Sequence, residues 1–217
     1  MGIKLLKYTH GIKMSLVLGV VMLVMGFVME GAFGPADFTI NNMGSYFILI
    51  TAMWPLQMLI SLAVPDYVSV SPWKKKIQTS VFAISSFVYY LVSYLLVLVV
   101  KLIRYRRGIV TAQELSLELL TIAAFVIVVS LYMAACLKYF AASTVIFCIG
   151  MPVVMVGSMV VLELDFLLEK LPSPMWSMVI GFAAVLLSAV LSYGLLLLLY
   201  KKPVSKYSQM SGLRKKM

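Results

Sequence analysis

Residues 68–100 read VSVSPWKKKIQTSVFAISSFVYYLVSYLLVLVV, in which three lysines are followed directly by 24 residues without a charge. Ser71 suits a helix N-cap, and Pro72 suits the first helical position, where its missing N–H costs nothing. We therefore predict a helix that begins in water at Ser71 and Pro72 and continues into a membrane span from Val81. We interpret the three lysines of this stretch as the place where the protein meets another molecule.

Composition assigns the rest of the chain to the membrane. Of its 217 residues, 63% are hydrophobic and 12% are charged, whereas a soluble domain is about half apolar and roughly a quarter charged. Successive apolar segments predict an all-α, polytopic membrane protein with six transmembrane helices and one transmembrane domain over 1–217. The predicted spans are 14–33, 44–64, 81–100, 119–137, 139–162 and 175–200.

Segments outside the spans carry local signals of their own. Residues 1–13 alternate lysines with apolar residues, which predicts a short N-terminal amphipathic helix at the membrane surface. Thr111 and Glu114 have the spacing of a capping box and predict the start of the fourth helix. Residues 163–174 are acidic and punctuated by prolines, which predicts an external connection.

Two prolines fall inside predicted spans. Pro55 follows Trp54 near the middle of span two and predicts a kink, because proline removes a backbone hydrogen bond. Pro152 lies between two glycines in span five and predicts a bend or a break there.

The basic residues predict the orientation. With both termini cytoplasmic, most of the 18 lysines and arginines lie inside, as the positive-inside rule requires. The loop after span three is the exception, because Lys101, Arg104, Arg106 and Arg107 would lie outside. The alternative puts this loop inside the cell and requires a re-entrant hairpin in a short stretch. Because the basic residues sit at segment ends, topology explains them better than nucleic-acid binding.

Catalytic motifs are missing from the sequence. His10 is the single histidine and lies outside the predicted spans, so we expect no metal site. The chain has neither a phosphate-binding loop nor a G-x-S-x-G motif, so we expect no catalytic residues and no cofactor in this chain. Cys136 and Cys148 fall in apolar segments, where a disulfide is not expected. Energy for any driven process would come from another subunit or from an ion gradient.

Polar residues within the apolar segments are candidates for a substrate path. Glu30, near the outer end of span one, is either functional or simply hydrated at the membrane interface. Gln57 either lines a path or bonds to a neighbouring helix. Span three carries a weakly polar stripe that faces either a cavity or a partner helix. The stripe comprises Ser85, Ser86, Tyr89, Tyr90, Ser93 and Tyr94, and the path candidates are Glu30, Gln57, Ser86, Tyr90 and Ser93.

The lysines Lys74–Lys76 have two interpretations of their own. They either set the orientation of the chain in the membrane and contact anionic lipid, or they bind an acidic partner protein. The preceding Ser-Pro-Trp favours docking, because topology alone needs neither a capped helix nor an aromatic residue.

This layout resembles the permease subunits of type-two ABC exporters. It shares with them six spans with both ends inside, an S-x-S-P-x-K-K insert between spans two and three, and a Tyr-Lys-Lys exit after span six. In that family the insert is a cytoplasmic coupling element that packs against a separate ATPase subunit. The resemblance implies that residues 68–80 form this element, and that docking is by Ser71, Pro72, Trp73, Lys74, Lys75 and Lys76. It also makes 1–13 similar to the family's connecting helix and 163–174 to its external re-entrant region.

The resemblance further implies the partners and the activity. Two permeases, identical or homologous, would bind two ATPase subunits that carry ATP and Mg²⁺. The expected function is export of a peptide, lipid or amphipathic small molecule across a bacterial plasma membrane, through a path formed with the second permease. The alternative is a membrane immunity or accessory protein that does not transport. An ion-coupled carrier is disfavoured, because buried ionisable residues are few and no internal repeat is evident.

Overall fold

The computed structural model describes residues 12–32, 38–53, 72–136 and 138–202, and this part of the chain is helical apart from short turns. The helices are α1 Ile12–Ala32, α2 Phe38–Ile50, α3 Lys74–Arg106, α4 Ala112–Cys136, α5 Phe140–Glu163, α6 Asp165–Leu168 and α7 Pro174–Leu199. α3 includes one π-helical turn, Ile77–Val81. The all-α prediction is confirmed for the described residues.

Four of these helices are long and apolar enough to cross a membrane. α3 has 33 residues, α4 has 25, α5 has 24 and α7 has 26, whereas about 20 apolar residues cross the hydrocarbon core. α1 contains a shorter apolar stretch, Val17–Glu30. These helices make the chain a helical membrane protein. Most of the predicted second span lies outside the described residues, so the number of six spans and the orientation stay predictions.

The start of α3 differs from the predicted start. The helix begins at Lys74, with Trp73 in the N-cap position and no side-chain cap, so the start predicted at Pro72 is two residues too early. Ser71, the predicted cap, lies outside the described residues. The predicted continuity is confirmed, because the lysines and span three belong to a single helix of 33 residues.

Two other local predictions have different outcomes. α5 runs through Pro152 as one helix, so a break there is wrong; membrane helices tolerate proline when local adjustments satisfy the freed carbonyl. The kink predicted at Pro55 lies outside the described residues. Of the predicted surface helix, residues 1–11 also lie outside, and Ile12 begins α1.

α4 is the central helix of the bundle. It packs against α2, α3, α5 and α7, most extensively against α7, and most of its apolar side chains are buried. A helix that is apolar all round is buried in this way. The Phe125 ring stacks on Tyr46 of α2, and Tyr132 stacks on Phe147 of α5, with ring centroids 4.6 Å apart in each pair. α5, in contrast, lies at the periphery and exposes many apolar side chains.

Small residues let two helix pairs approach closely. A Cβ atom added to Gly26 of α1 would lie 2.9 Å from the carbonyl oxygen of Gly44 in α2, and one added to Gly44 would lie 2.7 Å from the Gly26 oxygen. Serines join α4 to α7, with the Ser130 and Ser192 hydroxyl oxygens 2.6 Å apart and Ser130 donating to the Ser188 carbonyl at 3.2 Å. Both arrangements are typical of helix packing in membranes.

α3 ends in a glycine-containing cap. Gly108 has φ 71°, a left-handed conformation that glycine adopts without steric cost. Its N–H donates to the Tyr105 carbonyl at 3.0 Å, and the Ile109 N–H donates to the Arg104 carbonyl at 3.2 Å. This Schellman motif satisfies the last carbonyls of the helix and turns the chain sharply.

α4 begins with the predicted capping box, which is confirmed. The Thr111 N–H donates to the Glu114 carboxylate at 2.8 Å, and the Glu114 N–H donates to the Thr111 hydroxyl at 3.2 Å. Because both helices are capped within five residues of each other, α3 and α4 form a tight hairpin.

The helices alternate in direction, so charged residues gather at two ends of the bundle. The lysine end holds the start of α3, the α4–α5 turn and the end of α7, and it carries Lys74, Lys75, Lys76, Lys138, Lys201 and Lys202. The ion-pair end holds the α3–α4 turn and the connection from α5 to α7. Every described acidic residue lies at the ion-pair end or in its first helical turns: Glu30, Glu114, Glu118, Glu163, Asp165 and Glu169.

Candidate functional site

Six polar residues from four helices meet at the ion-pair end, and we call them the charge cluster. They are Glu30 of α1, Asn42 and Ser45 of α2, Lys101 and Arg104 of α3, and Glu118 of α4, each at most 5% exposed. An ionisable residue buried at membrane depth is a candidate functional residue by default. Four ionisable residues in contact are a stronger signal than Glu30 alone.

Lys101 is the centre of the charge cluster. Its Nζ lies 3.1 Å from Glu30 Oε1 and 3.2 Å from Glu118 Oε2, and it also donates to Asn42 Oδ1 at 3.4 Å. Arg104 Nη1 lies 3.0 Å from the second carboxylate oxygen of Glu30. The Ser45 hydroxyl donates to Glu30 as well. With two cations and two carboxylates, the cluster carries no net charge.

The local sequence explains how α3 supplies both cations. Lys101 and Arg104 are three residues apart, so their side chains lie on the same face of the helix. Glu118 lies nearly two turns into α4, and the tight α3–α4 hairpin brings it beside Lys101. α1 packs mainly on α2. The carboxylate of Glu30 connects α1 to α3 through its ion pairs with Lys101 and Arg104.

The charge cluster corrects two expectations. Glu30 is 2% exposed, so its interpretation as a hydrated interfacial carboxylate is wrong. The loop after span three does not present four basic side chains, because Lys101 and Arg104 are paired inside the bundle while Arg106 and Arg107 are exposed.

The charge cluster also leaves hydrogen-bonding capacity unused. Within the described part of the chain, Asn42 Nδ2 and Arg104 Nη2 are buried without a hydrogen-bond acceptor. A buried donor without a partner costs about 1–3 kcal/mol. Water or a polar ligand group that reached this end of the bundle would have two donors to bind.

Four of the six residues in the polar stripe of α3 lie inside the bundle. Ser86, Tyr90, Ser93 and Tyr94 are buried, while Tyr89 is exposed. The Ser86 hydroxyl donates to the Phe82 carbonyl in its own helix at 2.8 Å. The Tyr94 hydroxyl donates to the Met178 carbonyl of α7 at 3.3 Å.

The structure does not bring the predicted path residues together. Ser86, Tyr90 and Ser93 follow one face of α3, whereas Glu30 belongs to the charge cluster near the end of that helix. Ser93 precedes Lys101 by eight residues, which is about 12 Å along a helix axis. Gln57 lies outside the described residues.

The start of α3 presents an exposed aromatic residue and basic side chains. Trp73 is 59% exposed, Lys75 and Lys76 are exposed, and Lys74 is half-buried. Lys76 Nζ lies 5.1 Å from the centroid of the Trp73 ring, a cation–π contact that orients both side chains. Pro72 is also exposed.

A buried lysine holds the π-helical turn that follows. Lys138, in the α4–α5 turn, is 5% exposed, and its Nζ donates to the Gln78 side-chain oxygen at 3.1 Å. Burial, with a smaller contribution from the neighbouring charge of Lys74, lowers the pKa of Lys138 from 10.5 to about 8. π-Helical turns are frequent at functional sites. The contact joins the start of α3 to α4 and α5.

Sequence reasoning missed this contact and the cations of the charge cluster. Lys138 reads only as the mark of a turn, and Lys101 and Arg104 read as loop residues. One signal was present: the apolar segment of α3 continues past Lys101 through Leu102 and Ile103. A helix that extends beyond a basic residue carries that residue into the bundle.

Comparisons with protein-family models, with curated proteins and with solved structures found no match to this chain.

Proposed function

We propose that this chain is the permease subunit of an ATP-driven exporter, with the lysine end in the cytoplasm. Two permeases would form the path for a peptide, lipid or amphipathic small molecule, and two ATPase subunits would bind ATP and Mg²⁺. Both termini would be cytoplasmic, in a bacterial plasma membrane. The family resemblance supplies this hypothesis, and the geometry of α3 supports it.

The observation that carries the proposal is the exposed start of α3. Trp73, Lys75 and Lys76 are exposed on the first turn of a helix that continues for 33 residues into the membrane. An exposed tryptophan flanked by cations is typical of an anchor residue at a protein interface. Because no described residue at the lysine end is acidic, the surface complements an acidic partner.

α3 provides a mechanical route from this surface to the charge cluster. Its first turn carries Trp73 and the lysines, and its last turns carry Lys101 and Arg104. A displacement of the first turn by a bound ATPase would move the helix as a unit. The Lys138–Gln78 hydrogen bond would carry the same displacement to the α4–α5 turn. The cluster would then transmit it to α1 and α4.

The charge distribution supports the proposed orientation. The described lysines of the lysine end have no acidic residue among them, whereas the ion-pair end combines acidic and basic residues. Cytoplasmic segments carry the excess of lysine and arginine.

One observation favours the second candidate, a membrane accessory or immunity protein. The polar stripe of α3 is packed against neighbouring helices in the single chain, with Tyr94 bonded to α7. A protein that binds a partner without transport needs no opening along this stripe. For a permease, the path would instead lie between two copies.

Co-purification tests the proposal. The full chain would be expressed with the ATPase encoded beside it, extracted in mild detergent and captured by a tag on this chain. We expect the ATPase to be retained by the wild type. Trp73→Ala should weaken binding of the ATPase by roughly thirtyfold or more, because truncating an anchor residue costs about 2 kcal/mol or more. Lys75→Ala/Lys76→Ala should make retention weaker and more sensitive to salt.

The opposite end of the bundle provides matched controls. Trp176 is 64% exposed at the start of α7, and Arg106 and Arg107 are exposed after α3. Trp176→Ala and Arg106→Ala/Arg107→Ala should retain the ATPase as the wild type does. A wild-type chain that captures no ATPase would refute the exporter proposal and favour the accessory protein. Equal retention by Trp73→Ala and Trp176→Ala would refute docking at the start of α3.

A further inference from the structure

An open apolar groove runs between α3 and α7 on the outside of the bundle. It has a volume of about 450 Å³, and its lining includes Ala83 and Phe87 of α3 and Ala189 and Tyr193 of α7. This volume lies within the range of roughly 300–1,000 Å³ that is usual for small-molecule sites. The small side chains of Ala83 and Ala189 leave space between α3 and α7 that the larger lining residues beside them do not fill.

We propose that this groove binds one acyl chain of an anionic phospholipid, whose headgroup lies against Lys201 and Lys202. The site is independent of the proposed export function, since any membrane protein with this packing would have it. It uses the end of α7 rather than the exposed turn that precedes α3.

The size of the groove selects an acyl chain over a protein helix. The α3 part of the lining runs from Ser80 to Phe87, about 10 Å along the axis at 1.5 Å per residue. A helix with its side chains is about 10–12 Å across, so a membrane-spanning helix could place only its side chains in the groove, whereas an acyl chain can lie along it. A single hydrocarbon chain has no such width.

The position of the groove puts the headgroup at the lysine end. Ser80 and Ala83 lie in the first turns of α3 after the lysines, so the groove occupies the half of the bundle nearest that end. Leu199, the last residue of α7, lies six residues beyond Tyr193, about 9 Å along the axis, and Lys201 follows two residues later. The headgroup layer lies directly outside the hydrocarbon core, so a lipid with its acyl chain in the groove would place its headgroup near this end of α7. Tyr193, 40% exposed, has the amphipathic side chain that is enriched between the two.

The charge at this end selects an anionic headgroup. Lys201 and Lys202 are exposed, and Lys76 lies four residues before Ser80 at the neighbouring helix start. No described residue at the lysine end is acidic, so the described part of the chain offers these cations no carboxylate there. Basic pockets between membrane helices bind anionic headgroups for this reason.

Lipid titration with native mass spectrometry tests the site. The full chain would be purified in mild detergent, delipidated, and titrated with phosphatidylglycerol or phosphatidylcholine that has the same acyl chains. We expect one phosphatidylglycerol to bind in preference to phosphatidylcholine. Lys201→Gln/Lys202→Gln should weaken phosphatidylglycerol binding on the order of thirtyfold and leave phosphatidylcholine unchanged. Ala189→Phe, which fills the groove, should abolish binding of both lipids.

Two substitutions elsewhere serve as controls. Arg106→Gln/Arg107→Gln removes two exposed charges at the ion-pair end, and Val153→Phe enlarges a side chain that is 64% exposed on α5. Both should bind lipid as the wild type does. Equal binding of the two lipids by the wild type, or wild-type binding by Ala189→Phe, would overturn the proposal. If Ala189→Phe does not fold, Val190→Trp on the same groove replaces it, with the same two outcomes.

The same measurement distinguishes other occupants. A bound mass equal to a second copy of this chain, or to another polypeptide, that is lost with Ala189→Phe would overturn the lipid assignment. Failure of lipid binding leaves the ATPase test unaffected, because the variants Lys201→Gln/Lys202→Gln and Trp73→Ala alter separate surfaces.

Discussion

Replacing Lys101 with methionine removes the cation that contacts both carboxylates of the charge cluster and keeps a side chain of similar length. Lys101 is 0% exposed, and it lies 3.1 Å from Glu30 and 3.2 Å from Glu118. After the change, Glu30 keeps Arg104 at 3.0 Å, but Glu118 loses its ion pair. The cluster then carries one excess negative charge inside the bundle.

The expected loss of unfolding free energy comes from the carboxylate of Glu118, which is left without a counter-charge. Removing one member of a buried ion pair typically costs about 3–5 kcal/mol, because the remaining charge is buried without compensation. In a chain of this size that corresponds to a fall in the unfolding temperature of roughly 6–20 °C.

A second substitution, Glu118→Gln, tests whether the unpaired carboxylate of Glu118 causes this loss of stability. Lys101→Met/Glu118→Gln restores a neutral cluster with one cation and one carboxylate. It should recover at least about 1 kcal/mol relative to the sum of the two single changes, the coupling expected for residues in contact.

Reversible unfolding in mixed detergent micelles, followed by circular dichroism, would measure these free energies. Arg106→Met is the control, because Arg106 is exposed and an isolated surface change stays within about 0.5 kcal/mol. If Lys101→Met unfolds at the same denaturant fraction as Arg106→Met, the cluster does not stabilise the bundle. Strict additivity of Lys101→Met and Glu118→Gln would show that the two side chains do not interact.

Two further predictions concern packing and pH. Gly44→Ala should destabilise the protein by about 1–3 kcal/mol, because the added Cβ would lie 2.7 Å from the Gly26 carbonyl oxygen. Gly157→Ala is the control and should be nearly neutral, because an added Cβ there has nothing within 4 Å. Equal unfolding free energies of the two variants would contradict the close contact between α1 and α2. Lys138 has a pKa of about 8 in the folded protein and 10.5 as its ordinary value. Between these values the unfolded chain binds more protons, so stability should rise from pH 8 to 10.5 and be flat below pH 8. Lys138→Met should lack that rise, and a parallel pH profile for the two proteins would show that Lys138 is not buried.

α3 links the two candidate functional regions of the molecule. Its first turn exposes Trp73, its π-helical turn is bonded to Lys138, and its last turns enter the charge cluster. A buried ion-pair cluster has discrete alternative pairings, so a small displacement of one helix can change which partners meet. If the exporter proposal holds, the two ion pairs of Glu30, to Lys101 and to Arg104, are the point where a movement of α3 would reach α1.

The local features of the fold could be predicted from sequence because their causes are local. The apolar runs predict α3, α4, α5 and α7 through length and composition, and the Thr111–Glu114 capping box lies within one helical turn. A proline is less decisive. Pro152 predicts a break, yet α5 continues through it, since a membrane helix can compensate one lost backbone bond.

The candidate functional site depended on tertiary structure. Glu30 and Arg104 are 74 positions apart in the sequence. Glu30 lies in a predicted membrane span, whereas Arg104 lies in a segment that the sequence predicts to be a basic loop. Their pairing is decided by how α1, α2, α3 and α4 pack, which no local period or cap specifies. In the same way, Lys138 reads as a turn lysine until packing buries it against Gln78. The sequence by itself determined that the chain is a helical membrane protein with lysines before its longest helix. The tertiary structure decided which charges are buried, because a buried charge is stable only where folding brings its counter-charge within a few ångströms.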